Sequence, residues 1–117
     1  MSTPWHDLAE KALGTDDRIE KTYSCRLDKQ NGYLCLGRHK MVFVSVKGFL
    51  KKSYDVLLDA PYTDVGEIKV AGRYRFDVNH DGKSHPFETS DISAKTVVDG
   101  IQEIVGSSAQ GMTITGL

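Results

Sequence analysis

The chain has little of what most readily assigns a function. Among 117 residues there are two cysteines, three prolines and one tryptophan, and no charge excess, with 15 Lys+Arg against 16 Asp+Glu. A near-neutral balance excludes a global field drawing the protein onto nucleic acid or an anionic membrane, so any charge-driven contact must be local. No apolar run approaches the about 18 residues of a membrane span, and Met1 to Gly14 lacks the basic start and apolar centre of a secretory signal. A cytoplasmic location is the expectation, with peripheral membrane attachment left open. There is no G-x-S-x-G, no phosphate-cradling glycine loop, no CxxC and no zinc spacing among His6, His39, His80 and His85, so neither an enzyme nor a cofactor is expected.

What the chain does have is strand pattern. Between Ile19 and Val105 it reads as seven short strands, mostly β-branched or aromatic, followed by one amphipathic helix. The strands are expected at about Ile19–Asp28, Tyr33–Leu36, Met41–Val46, Tyr54–Asp59, Val65–Val70, Arg73–Val78 (with Tyr74, Phe76 and Val78 inward) and in the segment after Asp81-Gly82. Met41 to Val46 is unbroken apolar sequence, which predicts a central strand buried on both faces. Asn31-Gly32 and Asp81-Gly82 are read as two-residue hairpin turns, and Ala71-Gly72 as a third tight turn. The Asp81-Gly82 turn sets Phe76 opposite Phe87. The Asn31-Gly32 turn sets Leu27 opposite Leu36 and Cys25 opposite Arg38, with Cys25 and Cys35 on opposite faces and only one thiol buried.

Ser90 or Asp91 is expected to cap the last helix, whose stripe Ala94, Val97, Val98, Ile101, Ile104 and Val105 faces the core, with Gly100 permitting close approach to a strand. Residues 106–117 have the composition of a flexible tail. At the other end, residues 1–15 form a short helix and linker, capped at Thr3-Pro4 and closed by Gly14. Its stripe packs on its own domain or docks on a second chain; in the second case Trp5 and Leu8 are the partner-helix anchors.

The fold class is therefore mainly β (α+β): a seven-stranded antiparallel curved sandwich or barrel over residues 16–105, capped by one C-terminal helix, with an extra N-terminal helix. Asn31-Gly32-Tyr33-Leu34-Cys35-Leu36 running into Met41-Val42-Phe43-Val44 belongs to a longer pattern. Ala60-Pro61-Tyr62-Thr63-Asp64-Val65-Gly66-Glu67-Ile68, Gly82-Lys83-Ser84-His85-Pro86-Phe87 and the Ala94 to Ile104 helix complete it. Together these segments resemble the pleckstrin-homology (PH) superfamily, nearest its GRAM-like and prokaryotic PH-like branches. The resemblance implies a non-catalytic binding module, since members bind phosphoinositides, peptides, ubiquitin or copies of themselves. It also implies a headgroup pattern of a Lys ending the first strand and paired basic residues in the second. Lys29 matches the former; Tyr33 to Leu36 holds no basic residue.

Two constellations remain. Three loops are expected at one end, bringing Lys29, Lys47, Lys51, Lys52 and Lys83 around an apolar tip of Phe49 and Leu50, a rim suited to an anionic surface. Asp77, Asn79, Asp81, Gly82 and Glu88 spell a calcium loop, but Arg73 to Val78 alternates like a strand and Pro86 stands where an exiting helix would begin, so a hairpin is expected there. The leading reading is a protein-binding or self-assembling module; the alternative is an adaptor for anionic membranes or phosphoinositides acting through residues 47–52. Nucleic acid is not an expected partner.

Overall fold

A computed structural model describes residues 4–48, 50–106 and 113–116. Helix α1 (Pro4–Leu13) begins with proline, whose missing N–H is no loss in a first turn. It ends where Gly14, at φ 92°, donates its N–H to Glu10 O at 3.1 Å. Eight strands follow: β1 (Lys21–Leu27), β2 (Gln30–Leu36), β3 (Lys40–Lys47), β4 (Ser53–Pro61), β5 (Val65–Gly72), β6 (Arg75–His80), β7 (Lys83–Glu88) and, after helix α2 (Ala94–Val105), β8 (Thr113–Thr115). A 3-10 turn, Tyr62–Asp64, joins β4 to β5. The strands form one open sheet in the order β4-β3-β2-β1-β7-β6-β5-β8. The expected class holds: mainly β, with an N-terminal helix and a helix after the seventh strand; the sheet is open rather than closed into a barrel, and an eighth strand, parallel to β5, joins the seven expected.

The sheet folds over one main core. Its two halves meet at only two rungs between β1 and β7, Arg26↔Glu88 and Leu27↔Phe87. Leu27, Leu34, Leu36, Met41, Phe43, Ile68, Phe76, Val78 and Phe87 fill the interior, and Ala94, Val97, Val98, Ile101 and Val105 of α2 close it. Phe76 and Phe87 are paired as expected, their rings stacked at 5.0 Å and 6°. Phe43 meets Phe87 edge-on at 5.6 Å. β3 is buried on both faces because α1 covers the other one: Ala9 and Leu13 pack on Cys35, Val42 and Val44, flanked by Trp5, Leu8 and Ala12.

Several local expectations are corrected. The first hairpin turns at Asp28-Lys29, both at left-handed φ (51° and 66°), so Leu27 pairs with Gln30, Cys25 with Gly32 and Lys21 with Leu36. Asn31-Gly32 lies inside β2, because this register gives the hairpin a full ladder. Gly32 is needed there for clearance: a Cβ would meet the Val44 carbonyl oxygen and lie 2.8 Å from the Phe43 ring. Both cysteines are buried free thiols on opposite faces, Cys25 in the main core and Cys35 beneath α1. Ala71-Gly72 belongs to β5, and the turn falls on Arg73-Tyr74, leaving Tyr74 43% exposed rather than inward. Ser93, rather than Ser90 or Asp91, caps α2, because the helix starts at Ala94 and it is the Ser93 hydroxyl that accepts the Thr96 N–H at 3.2 Å; the Ala94 N–H goes to Arg73 O at 2.7 Å. Within the expected tail, Thr113–Thr115 is a strand, since its Ile114 packs against the main core. The expected cap at Thr3 lies outside the described residues.

Candidate functional site

Antiparallel pairing places the β1–β2, β3–β4 and β6–β7 turns on the same side of the ladder. Lys29 sits in the first turn, Lys47 ends β3 opposite Ser53, and Lys83 begins β7 opposite His80. The loop between β3 and β4 is bent by Gly48 at φ 97°, which packs so closely on the Lys51 carbonyl that a side chain there would strike it. Leu50 is 94% exposed, the most exposed large apolar residue described, with Lys51 and Lys52 exposed beside it. Phe49 lies outside the described residues. Lys52 borders a shallow concavity of about 290 Å³ with Ser24, Asn31, Gly32, Tyr33, Val46 and Gly48, so the loop lies back over the first hairpin.

Among the described residues, Lys21, Lys40 and Lys95 are paired with Glu103, Asp59 and Asp99, whereas none of Lys29, Lys47, Lys51, Lys52 or Lys83 has an ion-pair partner. Unpaired, exposed lysines around an exposed leucine have the chemistry of an anion-facing rim. Close by, burial first, and then the neighbouring charges of His80 and Lys83, hold His85 below the usual imidazole range; Asp28 of the first turn opposes them. The β1–β7 rungs place the β1–β2 turn beside β7.

The remaining candidates are placed plainly. Trp5 stacks on Tyr33 at 4.1 Å and 18°, and Leu8 packs beside it, so both proposed partner anchors face the chain's own sheet. The calcium spelling is a hairpin: Asp77 is opposite Pro86, Asn79 opposite Ser84, and Glu88 lies across from Arg75 at the far end from Asp81. One set of possible metal ligands lies elsewhere, His6, Asp7 and Glu10 on α1, where His6 Nδ1 and Glu10 Oε1 are 2.9 Å apart.

Two further features had only a tertiary signal. Asp17 accepts backbone N–H groups from Arg18 (2.7 Å), Arg38 (2.7 Å) and His39 (3.0 Å), tying the start of β1 to the β2–β3 turn. Glu20 receives both Arg18 Nε (3.3 Å) and Arg38 Nε (3.1 Å), and the buried Tyr62 hydroxyl donates to Gly37 O at 2.7 Å. The second feature is the sheet's outer edge: β4, nine residues long, is paired with β3 alone.

No helix among the described residues is long and apolar enough to cross a membrane. No protein-family model and no curated protein matches the chain. Solved structures do. The C-terminal domain of an unknown protein from Leishmania infantum superposes with TM-score 0.61 at 13% identity, over 84% of this chain and 94% of that one. The hSac2 domain from human phosphoinositide phosphatase Sac2 superposes with TM-score 0.61 at 11% identity, over 93% of this chain and 82% of that one. At such identities the likeness is one of fold, and the shared fold is consistent with a PH-like sandwich closed by a helix.

Proposed function

We propose that this chain is a non-catalytic PH-like binding and assembly module whose partner is a protein, its own copies included, received along the β4 edge. The observation that carries this reading is the nine-residue β4 with one pairing side unoccupied. An open edge offers a row of N–H and C=O groups to an added strand. Val56, 36% exposed on that strand, is the apolar contact an incoming strand covers. Pro61 ends the edge; Asp59 is held by Lys40 at 3.0 Å, which leaves exposed Asp55 as the carboxylate that favours a basic residue on an incoming segment over an acidic one. Fold neighbours with this architecture support a binding role in general.

The test is the molecular mass in solution against concentration, for the natural chain and for Val56→Lys. A lysine on an edge strand opposes strand addition, so the variant is expected to weaken self-association by about tenfold, ~1.4 kcal/mol, with an unchanged far-ultraviolet spectrum. Equal association in both proteins excludes the β4 edge.

A second reading is favoured by one observation, the 94% exposure of Leu50 between Lys47 and Lys51-Lys52. In that reading the loop inserts Leu50 into an anionic bilayer, each nearby lysine adding about 1 kcal/mol. Sedimentation with phosphatidylserine vesicles at low salt decides it. Binding lost in Lys51→Glu/Lys52→Glu supports the loop, and no binding by the natural chain removes it.

A further inference from the structure

The other edge of the sheet is filled by a strand from far along the chain. β8 lies parallel to β5 on three rungs, Glu67↔Thr113, Ile68↔Ile114 and Lys69↔Thr115, and is joined to α2 through residues 107–112. Its hold is slight. Ile114 is its one apolar side chain packed against the main core, and it is half-buried. The Thr115 hydroxyl oxygen is buried without a hydrogen-bond partner. Gly116, at φ 82°, passes so close to Val70 that a Cβ would meet the Val70 carbonyl oxygen. Beside Gly116 lies a groove of about 550 Å³ lined by Val70, Ala71, Gly72, Arg73, Ser93 and Lys95.

We propose that the β5 edge is an exchange lane, in which residues 113–116 of a second copy of this chain replace the resident ones, reciprocally, to form a two-fold dimer. This rests on the self-association reading above but uses the opposite edge of the sheet. The occupant is identified by the chain itself, because Thr113-Ile114-Thr115-Gly116 is the sequence the lane holds. Reciprocal exchange restores every rung in both copies, so the closed and exchanged forms differ little in contacts within the lane. The resident segment competes from within its own chain, so the dimer gathers as protein concentration rises.

The rung Lys69↔Thr115 supplies the test. Lys69→Cys and Thr115→Cys are made on separate full-length chains, mixed in equal amounts near millimolar concentration and oxidised gently. The native thiols are buried and do not compete. Random collision gives a mixed disulfide in about twofold excess over either like-with-like product, whereas exchange raises that excess to about tenfold. Adding Ile114→Asp to the chain that carries Thr115→Cys returns the ratio to about two, because the donated strand loses its core contact. A collision ratio in the original mixture overturns the exchange lane, as does an excess that Ile114→Asp leaves untouched. Failure of the β4 reading looks different: there Val56→Lys leaves the rise of mass with concentration unchanged, whatever the disulfide ratio.

Discussion

Removing the Asp17 carboxylate leaves the N–H groups of Arg18, Arg38 and His39 without their acceptor. Each hydrogen bond to a charged group is worth more than a neutral one, but this site is partly exposed and water replaces some of the loss. Asp17→Ala is therefore expected to cost about 2 kcal/mol by denaturant titration. Burial alone would raise this acid; the N–H groups of Arg38, His39 and Arg18, with the His39 charge, outweigh it and hold the carboxyl below its ordinary value. A depressed carboxylate contributes stability above its unfolded value, near ~3.9, and loses it as pH falls through the folded value. Asp17→Asn should thus flatten the acid limb of the stability curve below about pH 4 while leaving its shape near neutrality. The cysteines make a separate case. Burial pushes the Cys25 thiol up to about 12 and the Cys35 thiol up to about 11, so almost no thiolate exists in the native protein at neutral pH. An aromatic disulfide reagent at pH 8 is expected to modify neither thiol until denaturant is added; rapid native labelling would place one of them at the surface.

At the scale of elements, two glycines carry close approaches that a propensity scale does not foresee. Gly100 lies inside α2, where alanine would gain about 1 kcal/mol in helix propensity. Its Cβ, however, would meet the Tyr23 hydroxyl and lie 3.1 Å from that ring's Cζ. Gly100→Ala is expected to destabilise the natural chain and to become less harmful, or stabilising, in a Tyr23→Phe background, a coupling that a double-mutant cycle measures. Gly32→Ala drives a Cβ into the Val44 backbone, which cannot rotate away, so a loss of more than about 3 kcal/mol is expected. The first hairpin also shows what pattern can and cannot fix. The expected and observed registers differ by six positions, an even number, so the alternation stayed in phase and Cys25 and Leu27 still face inward with Leu34 and Leu36. Side-chain face was legible from period two; turn position was not, because Asp28-Lys29 competes with Asn31-Gly32 and the outcome depends on Phe43 packing over Gly32. The second hairpin had no such rival, and the Phe76–Phe87 rung was legible outright.

For the whole molecule, one aromatic cluster and two sheet edges set the behaviour. Phe76 and Phe87 stack where the two halves of the sheet fold over each other, with Phe43 edge-on to Phe87. Phe76→Ala should therefore cost about 3–5 kcal/mol and melt the fold as one unit. The core and the α2 stripe were legible because burial follows periodicity. The edges were less so: an open β4 and a β5 lane filled by Thr113–Thr115 follow from strand order, which alternation along the chain does not encode. The basic residues expected to converge lie on turns on one side of the ladder, and their unpaired state emerges only once the ion pairs of the other lysines are seen. The central claim is that β4 of one copy accepts a strand of another. It is tested most directly by following the backbone amide resonances of residues 53–61 as the concentration of the intact chain is raised to the millimolar range. The account predicts progressive shifts in those residues, absent in Val56→Lys; a spectrum that does not change with concentration, together with the mass of a single chain throughout, would contradict it.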